Sequence, residues 1–166
     1  RWQQVQTFPD LEVPENDSNI VLSFHFYNPF LLTHHQASWT KNKIYTGNVH
    51  YPGYVVQPSD TLDLPAEVRQ HVRSYTQEPS NQESLAAAIQ IAINKADSLG
   101  LQLYCGEFGC LSTVPDRTRK RWFADMIQFF ETNNIAWTAW DYKSDGFGVF
   151  KSEDLTLRFP EQTLGL

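Results

Sequence analysis

The chain has 166 residues and a net charge of −6, and its mass of 19.2 kDa is enough for one domain and hardly enough for two. We therefore predict a single domain over residues 1–166. The 13 basic residues form no extended run among the 19 acidic ones, which argues against a nucleic acid or an anionic membrane as partner. No apolar stretch reaches the roughly 20 residues of a membrane-spanning helix.

Three short apolar runs predict β-strands. They cover residues 19–25, 101–106 and 135–140, and each is entered through turn-forming residues. Runs of this kind are typical of strands buried on both faces, as in a parallel sheet.

Helical patterns separate these strands. Ser80 and Glu83 predict a capping box at the start of one helix, and Gly100 predicts its end. The expected apolar stripe of this helix consists of Leu85, Ala88, Ile89, Ala92, Ala96 and Leu99. A second helix is predicted from about Asp116, with a stripe of Trp122, Phe123, Met126, Ile127 and Phe130, and a shorter one over residues 65–75. The alternation predicts a repeated right-handed parallel α/β unit.

The segment of residues 28–79 is too long to be a minimal connection between a strand and a helix. It carries Trp39 and several tyrosines and histidines, so it is too aromatic for a flexible linker. Because long connections in compact domains are usually functional, we predict a structured loop that contacts substrate.

The two cysteines, Cys105 and Cys110, are expected to be buried thiols near a strand end. An extended strand would separate them too far for a disulfide, and no further Cys or His lies near enough in sequence to complete a metal site. No Gly-x-Gly-x-x-Gly motif opens a helix, which argues against a Rossmann-type enzyme. We predict neither a metal nor a cofactor.

Ligands of parallel α/β folds bind beyond the carboxyl ends of the strands. The chemically active residues at or after the three predicted strand ends are His25, Tyr27, Asn28, Glu107, Trp140, Asp141 and Tyr142. Each of them alone fits a structural role better than a functional one. Their combination indicates a carbohydrate site, because sugars need aromatic faces for binding and carboxylates for hydrolysis.

The sequence resembles glycoside hydrolase family 5 endoglucanases in three motifs, which match the family's sixth, seventh and eighth strands. They read His25-Phe26-Tyr27-Asn28-Pro29-Phe30 with Thr33-His34 and Ala37-Ser38-Trp39; Gly106-Glu107-Phe108-Gly109; and Trp137-Thr138-Ala139-Trp140-Asp141-Tyr142-Lys143 with Gly146-Phe147-Gly148-Val149-Phe150. The resemblance implies a partial (β/α)8 TIM barrel of about three parallel β/α units. It also implies a secreted endoglucanase that acts on β-1,4-glucan, with mannan and mixed-linkage glucan as open alternatives.

The resemblance further implies a role for each matching residue. Glu107 is implied to be the nucleophile of a retaining mechanism, with His25 and Tyr27 hydrogen-bonded around its carboxylate. Trp140 is implied to lie under the sugar at the cleavage point. Three further residues are implied to contact substrate in the cleft: Asn28, His34 and Trp39.

The chain departs from the family pattern at several points. His35 stands where the family has Gln, and Gln36 stands where it has Gly, which bears on the turn that places Trp39. The family's acid/base glutamate lies in an Asn-Glu-Pro motif, and no Asn-Glu pair occurs here. Asp141 is the only other carboxylate clearly expected at the same edge, and a structural role fits it better than acid/base catalysis. This chain alone is therefore expected to be catalytically incomplete.

Two classes of function stay open. The chain is either glycoside hydrolase machinery, as part of a longer enzyme or as a short form assembling a site between chains, or a carbohydrate-binding remnant without turnover. Three parallel strands cannot close a barrel, so we expect open edges unless residues 1–14 or the long loop cover them. The side chains expected to lose part of their cover are Leu22, Phe24, Leu103 and Trp137. We expect the chain to form a homo-oligomer or to associate with a missing barrel half.

Overall fold

The computed structural model describes residues 3–15, 17–144 and 146–150. Its strands and helices are, in chain order, β1 (Val21–Phe26), α1 (Phe30–Thr33), β2 (Gly53–Tyr54), α2 (Ala66–Val72), β3 (Pro79–Ser80), α3 (Gln82–Leu99), β4 (Gln102–Phe108), α4 (Asp116–Thr132) and β5 (Ala136–Ala139). Short 3-10 helices occur at Val5–Asp10, Lys41–Ile44, Pro58–Thr61 and Arg73–Thr76. The predicted domain, 1–166, extends beyond the described residues at both ends. None of the described helices is long and apolar enough to cross a bilayer.

The main sheet has three parallel strands in the order β1-β4-β5. α3 lies between β1 and β4 in the chain, and α4 lies between β4 and β5, so both connections are strand–helix–strand crossovers. The predicted class, α/β with about three parallel units of a partial barrel, is confirmed. The described strands do not close into a barrel.

The second strand of the main sheet ends two residues later than predicted, and this changes the position of Glu107. The second strand was expected to end at Gly106, but β4 continues to Phe108. Glu107 therefore lies within the strand, paired with His25 of β1, and not in a loop beyond it. Its pairing with β1 thus holds the backbone of Glu107 within the sheet.

The start of α3 is one residue later than predicted. Ser80 is paired with Gly53 in the small antiparallel sheet of β2 and β3, so it is not free to cap the helix. Asn81 is the N-cap instead, and it forms a capping box with Ser84. At the other end Gly100 has a φ of 63°, the left-handed conformation that glycine adopts without strain. Leu99, expected on the apolar stripe, is 37% exposed.

The apolar side of the sheet is covered, which corrects the expectation that its side chains lose part of their cover. Leu22, Phe24 and Leu103 are at most 8% exposed, because they point to the face on which α3 and α4 pack. Trp137 is half-buried and lies edge-to-face against Phe108, with ring centroids 5.4 Å apart. The open surface is the opposite face, where Val21 is 59% exposed.

The N-terminal segment, one of the two segments expected to be able to cover an open strand edge, covers part of the edge of β1. Gln4 forms a parallel bridge with His25, and the His25 amide donates to the Gln3 carbonyl oxygen at 2.9 Å. Phe8 lies edge-to-face against Phe24 at 6.3 Å. Residues 1 and 2 of this segment lie outside the described residues.

The long segment of residues 28–79 is structured, as predicted. It contributes buried residues to the main core, namely Tyr45, Val49, Tyr51, Val55, Val56 and Val72. Tyr51 also donates from its hydroxyl to Asp125 Oδ2 on α4 at 2.7 Å. The segment is therefore anchored to the helix layer, and it forms one wall of the cleft described below.

Both cysteines are buried and unbridged, as predicted. Cys105 lies in the middle of β4 and Cys110 just after it. Burial raises the pKa of both thiols, that of Cys110 to about 12, so both stay protonated at neutral pH. They serve as small core residues.

Candidate active site

A cleft of about 720 Å³ lies at the carboxyl ends of β1, β4 and β5. All seven residues predicted for the site line it: His25, Tyr27, Asn28, His34, Trp39, Glu107 and Trp140. They come from all three strand ends and the long loop, which lie far apart in the sequence. The parallel sheet brings them together because its carboxyl ends meet at one edge.

A bulge turns Glu107 towards the cleft. Phe24 pairs with Cys105, whereas His25 pairs with Glu107, so Gly106 is the extra residue in β4. Bulges of this kind change the direction of a side chain relative to the strand. A methyl group at Gly106 would lie 2.9 Å from Ser23 Oγ and 3.5 Å from His25 Nε2, so the absence of a side chain leaves room for the His25 ring.

One oxygen of Glu107 lies close to two neighbouring side chains. The Tyr27 hydroxyl donates to Oε2 at 3.0 Å, and His25 Nδ1 lies 3.2 Å from the same oxygen. The Tyr27 hydroxyl and the His25 ring thus lie against the same carboxylate oxygen. Oε1 has no hydrogen-bond partner among the described residues, so it is the oxygen available to react with a bound molecule.

Tyr27 remains a donor over the whole physiological pH range. Burial, followed by the hydrogen bond to Glu107 and the nearby negative charge, raises the pKa of the Tyr27 phenol well above its usual value. The phenol therefore keeps its proton. Its hydrogen bond restrains the rotation of the Glu107 carboxylate.

The tautomer of His34 follows from its neighbour. Thr33 Oγ1 donates its one hydrogen to the Tyr27 carbonyl oxygen at 2.6 Å, so its 3.0 Å contact with His34 Nδ1 requires the ring to donate. A neutral His34 then carries its proton on Nδ1 and leaves Nε2 as an acceptor. The wall of the cleft thus contains a hydroxyl donor, Tyr27, on Glu107 and an acceptor nitrogen on His34.

Aromatic packing keeps His34 neutral. Its ring stacks on Phe30 at 4.1 Å and lies edge-to-face against Tyr27 and Phe147. Burial lowers the pKa of His34 from 6.5 to about 4, because the apolar surroundings disfavour the charged ring.

A pH-dependent loss of stability should follow from this burial. Below about pH 6.5 the unfolded chain binds a proton at His34, whereas the folded chain binds it only near pH 4. The free energy of unfolding should therefore fall as the pH is lowered through this window, by up to about 3 kcal/mol from this group. Urea denaturation at pH 7 and pH 4.5 measures the fall, which should be smaller in His34→Gln. An equal fall in both proteins would contradict the prediction.

The turn that leads to Trp39 tolerates the two departures from the family pattern. Gln36 has a φ of 60°, the left-handed conformation that glycine adopts most easily, so the turn keeps a geometry suited to glycine. The His35 ring is buried, with Nε2 2.9 Å from the Gly47 carbonyl oxygen. Trp39 lines the cleft, and its ring lies edge-to-face against His34 at 6.4 Å.

Two indoles present open faces to the cleft. Trp39 is 67% exposed and Trp140 is 46% exposed. Apolar rings of this size are normally buried. Exposed aromatic faces in a cleft that also carries polar side chains are typical of a binding surface for a partly apolar ligand such as a sugar ring.

Further cleft residues were not predicted. Phe30 and Phe147 occur in the motifs quoted above but were not assigned to the site. Gln4, Val5 and Gln6 line the cleft because the N-terminal segment packs beside β1, and no local pattern indicates this. Thr33, which orients His34, is also part of a quoted motif.

Glu107 is the only carboxylate among the described residues that line the cleft. The Asp141 side chain lies outside this lining, and Oδ1 of Asp141 is buried without a hydrogen-bond partner in the described part of the chain. Within that same part, no group of three or more His, Cys, Asp or Glu residues could hold a metal ion. The described lining thus offers one carboxylate with a tyrosine donor, together with exposed aromatic rings.

Comparison with known proteins places this site in a family. The family described as Cellulase (glycosyl hydrolase family 5) matches residues 1–146. Endoglucanase C of Acetivibrio thermocellus is 30% identical over 139 residues, which cover 83% of this chain and 40% of that protein. The chain therefore spans about 40% of the length of the first curated relatives that it matches.

Solved structures share the fold. Thermotoga maritima Cel5A in complex with cellobiose has a TM-score of 0.71 at 21% identity, covering 98% of this chain and 44% of that one. Thermotoga maritima Cel5A in complex with mannotriose has a TM-score of 0.66 at 21% identity, covering 94% and 41%. Similarity at this level of identity concerns the fold alone. The family match over most of the sequence carries the assignment: this chain belongs to glycosyl hydrolase family 5, the cellulase family.

Proposed function

We propose that the cleft is the glucan-binding half of a retaining β-1,4-glucan hydrolase, with Glu107 as the nucleophile. The observation that carries this proposal is the arrangement on Glu107, where the Tyr27 hydroxyl donates to Oε2, His25 Nδ1 lies 3.2 Å from the same oxygen, and Oε1 has no hydrogen-bond partner among the described residues. The hydrogen bond from Tyr27 restrains the orientation of the carboxylate, and a nucleophile must be held in such an orientation. The endoglucanases among its relatives support the substrate class.

The proposed reaction proceeds in two steps. Oε1 of Glu107 attacks the anomeric carbon, and the bond from that carbon to the leaving oxygen breaks while an acid group protonates the leaving oxygen. The same group, now a base, takes a proton from water, which attacks the anomeric carbon and releases Glu107. Tyr27 and His25 hold Oε2 during both steps. We propose that the acid/base carboxylate comes from outside the described residues, within about 5–5.5 Å of Glu107.

The substrate is proposed to be a β-1,4-linked glucan. Trp39 and Trp140 offer ring faces to the C–H surfaces of the sugars, and the His34 acceptor and the Asn28 amide offer partners for their hydroxyls. A relative of the same fold has been solved with cellobiose and with mannotriose, so mannan is the alternative main chain. Polymers of this size are degraded outside the cell, and we propose a secreted protein.

Truncation of either indole should weaken binding. We expect Trp39→Ala and Trp140→Ala each to reduce the affinity for cellotetraose by about 1–3 kcal/mol, because each removes an aromatic anchor from the cleft. Isothermal titration calorimetry on the full chain measures this effect.

The matched control is Tyr54→Ala, which removes an exposed aromatic ring that does not line the cleft. This variant should bind cellotetraose as the wild type does. If both tryptophan variants keep full affinity, the sugar surface lies elsewhere and the proposed function is wrong.

A second candidate is a carbohydrate-binding protein without turnover. The presence of a single carboxylate in the described lining of the cleft favours it. Both candidates predict binding to cellotetraose. Only the hydrolase predicts release of reducing ends from soluble β-1,4-glucan, and only in that case can activity depend on Glu107.

Association with a further copy or with a barrel half is also part of the proposal. β5 pairs only with β4 among the described strands, and β1 has a neighbour on its other side only at His25. Open strand edges favour pairing with another chain. We expect light scattering at micromolar concentration to give a mass above 19.2 kDa, whereas a monodisperse monomer would contradict self-association.

A further inference from the structure

The indole of Trp39 has little packing of its own. Its side chain is largely exposed, and its ring touches the edge of His34 with centroids 6.4 Å apart. Two consecutive backbone turns place the residue instead. The Ala37 amide donates to the His34 carbonyl oxygen at 3.1 Å, and the Thr40 amide donates to the Ala37 carbonyl oxygen at 3.0 Å. The position of the indole therefore depends on what holds residues 34–40, which we call the Trp39 turn.

His35 fixes the Trp39 turn to a later part of the long loop. Its ring is almost fully buried and lies outside the lining of the cleft. Nε2 lies 2.9 Å from the Gly47 carbonyl oxygen, and because a carbonyl oxygen can only accept, Nε2 is the donor. The acceptor is itself held in place. The Tyr45 hydroxyl donates to the Asn48 carbonyl oxygen at 2.7 Å, and a methyl group at Gly47 would lie 2.8 Å from that hydroxyl oxygen.

The same residue joins the Trp39 turn to the loop that follows β4. Thr113 Oγ1 donates to the His35 carbonyl oxygen at 2.5 Å, and the Thr113 carbonyl oxygen lies 3.4 Å from His35 Nδ1. Just before the turn, the Leu111 amide donates to the Thr33 carbonyl oxygen at 2.9 Å. Because this loop continues directly from β4, His35 links the backbone around Trp39 to the strand that carries Glu107.

The link on the ring of His35 depends on one donor. Burial lowers the pKa of His35 from its usual value, although the neighbouring carbonyl oxygens of Thr113 and Gly47 act in the opposite direction. The ring is therefore neutral at pH 7 and has one N–H group, which Nε2 uses for Gly47. A glutamine side chain can bring its amide nitrogen to about the same place as Nε2, whereas the shorter asparagine side chain cannot.

We propose that His35 is a positioning residue for Trp39: it holds the turn that places the indole at the cleft, and it acts on a bound sugar only through that indole. This inference rests on the proposed function, because Trp39 must contact the glucan for its position to affect binding. A residue with a merely structural role would change the affinity equally with and without the indole. Pairs of substitutions distinguish the two cases, because residues that act through one another are not additive.

Calorimetry with cellotetraose on the full chain tests the proposal. We expect His35→Asn to weaken binding at least about five-fold, and His35→Gln, which keeps a donor near the position of Nε2, to stay within about two-fold of the wild type. In a Trp39→Ala background, His35→Asn should change the affinity by less than about two-fold, whereas in a Trp140→Ala background it should keep its effect.

A second variant tests the other contact of the turn. Thr113→Val removes the hydroxyl that donates to the His35 carbonyl oxygen with little change of volume, and it serves if His35→Asn does not fold. It should weaken cellotetraose binding in the wild-type background and not in Trp39→Ala. The matched control is Thr46→Val, at an exposed threonine of the long loop outside the lining of the cleft, which should bind as the wild type does.

The outcomes separate this inference from the proposed function. Unchanged affinity in both His35→Asn and Thr113→Val, or an equal loss with and without the Trp39 indole, overturns the positioning role alone. A loss in His35→Gln as large as that in His35→Asn also overturns it, because the donor would then not be the group that matters. If the wild-type chain does not bind cellotetraose, the proposed function is overturned together with it.

Discussion

Replacement of Glu107 by glutamine should abolish hydrolysis of soluble β-1,4-glucan, lowering the rate by several orders of magnitude. Glutamine has nearly the same shape, but its amide oxygen is too weak a nucleophile to form the covalent intermediate. No other carboxylate in the described lining of the cleft can replace it. Release of reducing sugar by the active protein or assembly measures the loss.

The control for this experiment is Glu131→Gln, on the exposed surface of α4, which should retain wild-type activity. Circular dichroism should show the same fold for both variants, because neither substitution changes side-chain volume. Full hydrolytic activity of Glu107→Gln would show that another group is the nucleophile. If neither the wild type nor any assembly containing it hydrolyses glucan, the binding function without turnover is the correct one.

Replacement of Trp122 by alanine should cost about 3–5 kcal/mol of unfolding free energy. The Trp122 ring is fully buried in α4 and contacts Phe108 and Phe123 at centroid distances of 6.0 and 5.4 Å. Its Nε1 donates to the carbonyl oxygen of Asn28 at 3.0 Å. The substitution therefore opens a cavity beside β4 and also releases the chain at the cleft wall. Urea denaturation monitored by circular dichroism measures the change.

Trp122→Phe separates the two contributions. Phenylalanine keeps most of the packing but cannot donate to Asn28, so we expect a smaller loss of about 1–2 kcal/mol and a weakened affinity for cellotetraose. A loss below about 1 kcal/mol for Trp122→Ala would show that α4 does not support the sheet in the way the structure indicates.

Local sequence patterns were sufficient for the class of fold and for most of the helix layer. The stripe of α4 from Trp122 to Phe130 is buried as predicted, because a helix buries every third or fourth residue regardless of what it packs against. Gly100 ends α3 as predicted for the same kind of local reason. The capping box was misplaced by one residue because Ser80 pairs with Gly53, a contact between residues far apart in the chain.

The seven predicted site residues line one cleft, and two different sources led to them. The position of five of them at or just after strand ends follows from the general geometry of parallel sheets, whereas His34 and Trp39 of the long loop, and the individual roles of all seven, came from the family resemblance. The roles themselves remain predictions until the variants of Glu107, Trp39 and Trp140 are measured.

The sequence by itself determined three parallel strands connected by two helices, the helix stripes and the set of residues at the strand ends. Only the tertiary structure decided how those residues act on one another. The bulge at Gly106 pairs Glu107 with His25, and the N-terminal segment forms part of the cleft. Thr33 sets the tautomer of His34. Each of these depends on contacts between separate segments, which periodicity within one segment cannot specify because it reports only which face of an element is buried.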